Sequence, residues 1–177
     1  LPCRGSMFTF HIPVGPLHGV SLVKDIHAVP DLVKPVISAV TAGNVTGSIL
    51  LAEDGAESRR LFNFLLQDVG MDVTCAVNGS EAVDMAIRAR DEGRMFDVVL
   101  MDIQMPVMDG HAATGWLRER HYEGPILALT ANSMAGDRER CLEAGCDDYI
   151  VKPISRDLFI EKVRRWVTIA RSRRAAA

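Results

Sequence analysis

Nowhere in its 177 residues does the chain hold an uninterrupted apolar run near the ~20 residues that a membrane-spanning helix needs. No secretory signal is expected either, because Pro2, Arg4 and Gly5 stand where an apolar leader core would begin. Neither sign of charge is in strong excess: 20 Lys and Arg against 23 Asp and Glu leave a net charge of -3. That balance gives no reason to expect nucleic acid or a membrane surface as a partner. Cysteine is sparse, at positions 3, 75, 141 and 146, with no CxxC pair and no His at zinc-ligand spacing. The expectation is therefore reduced thiols, buried or half-buried, in a cytoplasmic protein. What remains, 48% hydrophobic and 24% charged residues, is an ordinary globular composition.

The pattern changes near residue 47. Before it, Pro13, Pro16, Pro30 and Pro35 with Gly15, Gly19, Gly43 and Gly47 rule out a long helix. One short strand is expected at Met7 to Ile12, with Phe8, Phe10 and Ile12 on one face. The stretch 14–47 reads as linker, with Val29 to Val40 apolar enough to pack. After residue 47, apolar runs alternate with helix-period segments. Strands are expected at Ser48–Ala52, Asp72–Val77, Phe96–Met101, Pro125–Leu129 and Asp148–Val151. Helix 1 should run from about Ala56 to Val69, with Leu61, Leu65, Leu66 and Val69 inward and Gly70 as its stop. Helix 2 should start near Ser80 and bury Ala82, Val83, Ala86 and Ile87. Asp109 should cap helix 3, with Ala113, Trp116 and Leu117 inward. Helix 4 is expected from Ser133 to Ala144, ending at Gly145; helix 5 should follow a Ser155 cap, with Leu158, Val163, Trp166 and Val167 inward. Strands without polar alternation, separated by helices, imply a five-stranded parallel sheet covered on both faces. The expected architecture is a doubly wound α/β fold with strand order 2-1-3-4-5 and an irregular N-terminal extension.

In such a sheet, ligands bind beyond the carboxyl ends of the strands, where strand order reverses. Strand 1 delivers Glu53 and Asp54 there, strand 3 delivers Asp102, strand 4 ends at Thr130, and strand 5 leads into Lys152-Pro153. Three converging carboxylates would repel each other and take up protons unless a cation sat among them. A hard divalent ion with oxygen ligands, Mg²⁺ or Mn²⁺, resolves this and would offset the charge of a phosphoryl group. One carboxylate could then act as a nucleophile toward phosphorus. Lys152 offers a mobile positive charge and Thr130 a short donor for phosphate oxygens.

MPVMDG (105–110), PILALTANSMAGDRERCLEAG (125–145) and CDDYIVKPI (146–154), taken with Glu53, Asp54, Asp102, Thr130 and Lys152, resemble the receiver domain of two-component response regulators over residues 48–170, which leaves 171–177 as a tail. The resemblance implies the flavodoxin-like receiver fold and phosphorelay signal transduction. It further implies that Asp102 accepts a phosphoryl group from a phosphohistidine. Glu53, Asp54, Asp102 and the backbone carbonyl of Gln104 would hold the metal. Thr130, Ala131 and Lys152 would contact phosphate, and Thr130 with Tyr149 would switch the face made by helix 4, strand 5 and helix 5. A cis Lys152–Pro153 bond also follows from the resemblance. The segment GSMFTFHIP (5–13) resembles the last strand of a histidine-kinase ATP-binding domain, although Gly5-Ser6 reads equally as a cloning scar. The layout implied is a hybrid sensor histidine kinase. Its partners would be the kinase core, expected in the same parent chain, and a histidine phosphotransfer protein. With no effector domain expected after helix 5, feedback on the kinase core or relay to a phosphotransfer protein is the expected role.

Other residues read more plainly. Asp72 and Asp109 suit solvation or capping, and Met101, Met105 and Met108 suit packing. His111 should be exposed and no phosphodonor; His11, His18, His27 and His121 have no visible partner. The basic residues Arg164, Arg165 and Arg171 to Arg174 read as a solvated helix end. Three competing classes fit less well. A haloacid-dehalogenase-type phosphatase needs an acid where Gln104 stands. A flavodoxin-like cofactor binder needs Ser, Thr and Gly where Glu53 and Asp54 stand. A degenerate receiver serving only as a docking module would not keep the full acidic set.

Overall fold

A computed structural model of the chain describes residues 45–131 and 135–176, without the side chains of 135–137. The expected strand at Met7 to Ile12, the kinase-like segment, nearly all of 14–47 and the Ser133 start of helix 4 lie outside the described residues. Ten elements alternate: β1 (Gly47–Ala52), α1 (Ala56–Asp68), β2 (Met71–Ala76), α2 (Gly79–Asp91), β3 (Val98–Asp102), α3 (Gly110–Glu119), β4 (Ile126–Thr130), α4 (Ala135–Glu143), β5 (Asp148–Val151) and α5 (Arg156–Ala175). All neighbouring strands pair in parallel, in the order β2-β1-β3-β4-β5. This is the doubly wound arrangement that the alternating pattern implies.

The core has two halves because successive strand residues face opposite sides of the sheet. Leu50, Ala52, Val99, Met101 and Ala128 pack with residues of α2 and α3. Ile49, Leu51, Val98, Leu100, Leu127 and Leu129 pack with residues of α1 and α5. The strands β1, β3 and β4 are buried nearly throughout, whereas the edge strand β2 alternates and leaves Asp72 and Thr74 exposed. Edge position therefore restores the polar alternation that central strands lose.

The helix faces correct three expectations. Leu61 on α1 is exposed; Phe62 and Leu66 are the buried pair, with Leu65 and Val69 half-buried. On α3, Trp116 is exposed under the Arg120 guanidinium, 4.0 Å from its ring, while Ala113, Thr114 and Leu117 point inward. On α5, Leu158 is 67% exposed, and Phe159, Ile160, Val163, Val167 and Ala170 form the inner face. In LFNFLL (61–66) and DLFI (157–160) apolar residues occupy adjacent helical directions, so composition cannot choose between phases 100° apart. Helix starts follow their caps: Asp109 accepts from the Ala112 amide at 2.8 Å, and Asn78 accepts from the Glu81 amide at 2.9 Å. Ser155 stands at the α5 N-cap position but makes no side-chain capping bond.

The basic end of α5 is engaged rather than simply solvated. Asp97, buried just before β3, accepts the Ser48 amide at 3.0 Å and pairs with Arg171 at 3.1 Å and Arg174 at 3.0 Å. Asp147, just before β5, accepts the Ile126 amide at 2.9 Å, pairs with Arg118 at 2.7 Å and meets Arg173 at 3.8 Å. Each aspartate thus ties its own strand to a neighbour, and the last turns of α5 reach both. Asp97→Ala should cost about 2–4 kcal/mol in urea unfolding, since it leaves a buried amide unpaired and frees two guanidinium groups.

Asp148 makes a third such centre, on β5. Burial alone would raise its pKa, but bonds from Trp166 Nε1 (3.0 Å), Lys162 Nζ (2.9 Å) and the Tyr149 amide (2.8 Å) outweigh burial and hold it below its ordinary 3.8. A depressed carboxyl contributes stability above its unfolded pKa and loses it as pH falls through the lower folded value. Asp148→Asn should therefore be less stable than the wild type at neutral pH. The gap should close below about pH 4, as read from urea midpoints across the acid range.

Candidate functional site

The ladder between β1 and β2 runs one bond past the strand, from the Glu53 amide to the Ala76 carbonyl at 3.1 Å. That bond turns the Glu53 side chain into the domain, where it is 3% exposed, and leaves Asp54 at the rim in solvent. From the neighbouring strand β3, Asp102 arrives 5% exposed, with Oδ1 accepting the Gln104 amide at 3.2 Å. Carboxylate oxygens of Glu53, Asp54 and Asp102 all lie within 4.8 Å of one another. The strand-order reversal between β1 and β3 is what brings them there.

Lys152 enters this group from β5. Its Nζ donates to Glu53 Oε2 at 2.8 Å and to Asp102 Oδ2 at 3.0 Å, and it lies 5.8 Å from the Phe62 ring centre. The Lys152 amide donates to the Thr130 carbonyl at 2.7 Å, so the ends of β4 and β5 advance together. The Lys152–Pro153 bond is cis, as expected. Thr130 is buried at the end of β4, and Ala131 beside it is exposed.

The loop behind Asp102 is fitted to backbone dimensions. A Cβ on Gly110 would stand 2.2 Å from the Asp102 carbonyl oxygen, so α3 can begin there only with glycine. The Gly110 amide closes the turn on the Ile103 carbonyl at 3.0 Å. Gly79 does the same at the start of α2: its amide donates to the Met108 carbonyl at 3.1 Å, and a Cβ would approach that oxygen to 2.5 Å. Val107 takes φ 69° at the apex of this loop.

Burial raises the Glu53 pKa; the Lys152 hydrogen bond pulls against it, and the Asp102 charge adds to the rise. For Lys152, burial works against the charged form, but Glu53 and Asp102 outweigh it and raise its pKa. Three carboxyl groups gathered around one ammonium leave the pocket with more acid than base. Three oxygen-donor carboxylates with an uncompensated charge fit a hard divalent cation, and no sulfur or imidazole ligand intrudes among the described residues.

Other expected residues fall as follows. Tyr149 is half-buried on β5, with Lys162 Nζ 5.3 Å from its ring centre and donating to its carbonyl at 2.6 Å. Gln104 is exposed. His111 is half-buried rather than exposed, with Nδ1 enclosed and unpaired, because the second residue of α3 lies close to the tightly turned loop. Cys75 is half-buried, and Cys141 and Cys146 are buried. One contact had not been anticipated: Arg59, in the first turns of α1, donates through Nη1 to the Glu53 carbonyl at 2.8 Å and the Asp54 carbonyl at 2.9 Å. The signal available was a basic residue near a helix start, five positions after Asp54 of the acidic pair.

Comparison with known proteins agrees with this geometry. Over 119 residues the chain is 41% identical to hybrid signal transduction histidine kinase I of Dictyostelium discoideum, covering 65% of this chain but 7% of that protein. Against the receiver domain of sensor histidine kinase PA1611 from Pseudomonas aeruginosa, solved with magnesium coordinated in its active-site cleft, identity is 39% with a TM-score of 0.62, covering 70% of this chain and 99% of that one. A co-crystal structure of the Saccharomyces cerevisiae phosphotransfer protein Ypd1 with the receiver domain of Ssk1 matches at 26% identity and a TM-score of 0.62, over 69% of this chain and 89% of that one. The model of the response regulator receiver domain matches residues 49–164, and the chain belongs to that family of two-component phosphorelay proteins.

Proposed function

We propose that Asp102 is the phosphoryl acceptor and that the domain takes its phosphoryl group from a phosphohistidine in a Mg²⁺-dependent reaction. The observation that supports this best is the placement of the Asp102 carboxylate: buried, beside two further acids, with an ammonium 3.0 Å from Oδ2. An Asp102 oxygen attacks phosphorus, the P–O bond forms as the P–N bond to the donor imidazole breaks, and the imidazole leaves with its electron pair. Glu53, Asp54, Asp102 and the Gln104 carbonyl would hold Mg²⁺, which when bound offsets charge on the transferring phosphoryl oxygens.

The chain's own residues do the rest. Lys152, released from one carboxylate, turns to a phosphate oxygen. The Thr130 hydroxyl donates to another, and Ala131, small and exposed, leaves the approach open. As Thr130 moves toward phosphate, Tyr149 turns inward and gives up its contact with Lys162, which changes the surface of α4, β5 and α5.

The phosphodonor is a histidine kinase core, in the same parent chain by the resemblance of residues 5–13, or a histidine phosphotransfer protein. A docking surface lies close to the acids. Leu61 and Phe64 stand 54% and 64% exposed on α1, the helix that begins two residues after Asp54, and Leu158 is exposed at the start of α5. Cytoplasmic location goes with a donor that draws on ATP. Among the described residues no helix is long and apolar enough to cross a membrane.

Two measurements test the reading. Intact mass after incubation with a small-molecule phosphodonor and Mg²⁺ should show one added phosphoryl group on the wild type and none on Asp102→Asn; equal labelling of both would overturn the assignment. Phe64→Asp should slow transfer from a phosphorylated kinase or phosphotransfer protein by at least about tenfold while leaving small-molecule labelling unchanged. Equal slowing of both reactions would remove α1 as the docking surface.

A further inference from the structure

Arg59 makes a contact that helix energetics alone does not favour. The N-cap of α1 is Gly55, which has no side chain to cap with, and the acidic residue of the first turn is Glu57. A guanidinium folded back toward a helix N-terminus stands against the positive end of the helix dipole. It does so here to reach two consecutive carbonyls, those of Glu53 and Asp54, through one nitrogen at 2.8 Å and 2.9 Å. Local rules are broken in this way where a site requires it.

The two carboxylates differ in how they are held. Glu53 has its own support: Oε1 takes the Gly55 amide at 3.3 Å and Oε2 takes Lys152 at 2.8 Å. Among the described residues nothing holds the Asp54 carboxylate, which is exposed, so its backbone alone sets its aim. With both carbonyls turned to Arg59, the side chains at 53 and 54 extend toward Asp102, and the three carboxylates reach within 4.8 Å.

From this we infer that Arg59 is a positioning residue for the divalent-cation site, acting through the backbone of Glu53 and Asp54; the inference rests on the metal reading proposed above. Its charge works the other way, since a guanidinium near the site repels a cation. Alignment and repulsion therefore predict opposite signs, and the balance can be measured.

The test compares Mg²⁺ binding by calorimetry for wild type, Arg59→Lys and Arg59→Met. Lysine keeps the charge but has a shorter side chain without the guanidinium nitrogen that donates to both carbonyls; methionine loses both charge and donor. Positioning predicts that each variant raises the Mg²⁺ Kd roughly tenfold, the usual scale for groups that orient metal ligands. The Mg²⁺ concentration for half-maximal phosphodonor labelling should rise in parallel, the change lying in that concentration more than in the rate at saturation. Tighter binding by Arg59→Met with an unchanged Arg59→Lys would mean that Arg59 acts by charge, and would overturn the inference. So would unchanged Kd values accompanied by lower urea midpoints, which would make Arg59 a helix anchor only. Far-UV circular dichroism confirms that each variant is folded, with Arg59→Lys the milder change. A wild type that binds no Mg²⁺ would instead sink the metal reading itself and this inference with it.

Discussion

Mutual repulsion among Glu53, Asp54 and Asp102 is the constraint around which the carboxyl edge of the sheet is organised. Three acids on two adjacent strands cannot share so small a space without compensating charge. In this structure the compensation comes from Lys152, which bridges Glu53 and Asp102. To reach them it must leave β5 and cross in front of β4, and the bond from its amide to the Thr130 carbonyl sets that path. The ammonium therefore links four strands' ends in one electrostatic unit. Arg59 serves the same edge from outside, through backbone carbonyls instead of carboxylates. Anything that adds negative charge at Asp102 must redraw this set of contacts; Thr130 stands on the neighbouring strand β4, and Tyr149 one strand further, on β5.

Close backbone packing supplies the rigidity that such a balance needs. Gly110 and Gly79 admit the 103–109 loop at distances that no Cβ would tolerate. The loop is thereby wedged between α2 and α3, and Asp102 has little freedom to retreat from its neighbours. Repulsion is stored in the arrangement because the backbone cannot relax it away.

Most of this was legible in the sequence, for physical reasons that can be named. Central strands of a parallel sheet are apolar without alternation, so β1, β3 and β4 stand out as short runs such as VVLM (98–101) and ILAL (126–129). Their order fixes which strand ends meet, and the residues at those ends carry the chemistry. Caps were legible where a side chain does the capping, as at Asp109. Helix phase was not. Phe62 and Leu61 are adjacent and equally apolar, and what places Phe62 inside is its fit against Phe159, with ring centres 5.5 Å apart, a contact between residues far apart in sequence. Arg59 was missed for a related reason: its partners are carbonyl groups, which every residue has and no sequence displays. The basic end of α5 is exposed, as expected, but its ion pairs went unforeseen because Asp97 and Asp147, its partners, look like ordinary loop acids until the sheet brings them under the helix.

That basic end has a consequence for how motion can travel. Asp97 and Asp147 rivet the amino edge of the sheet to the last turns of α5, joining β1, β3, β4 and β5 along one rim. Among the described residues the opposite rim shows no such pair of ties; its charged groups gather in the acidic pocket. Any movement of α5 that accompanies a change in the pocket must therefore break the Arg156–Asp68 pair at its start or the arginine pairs at its end.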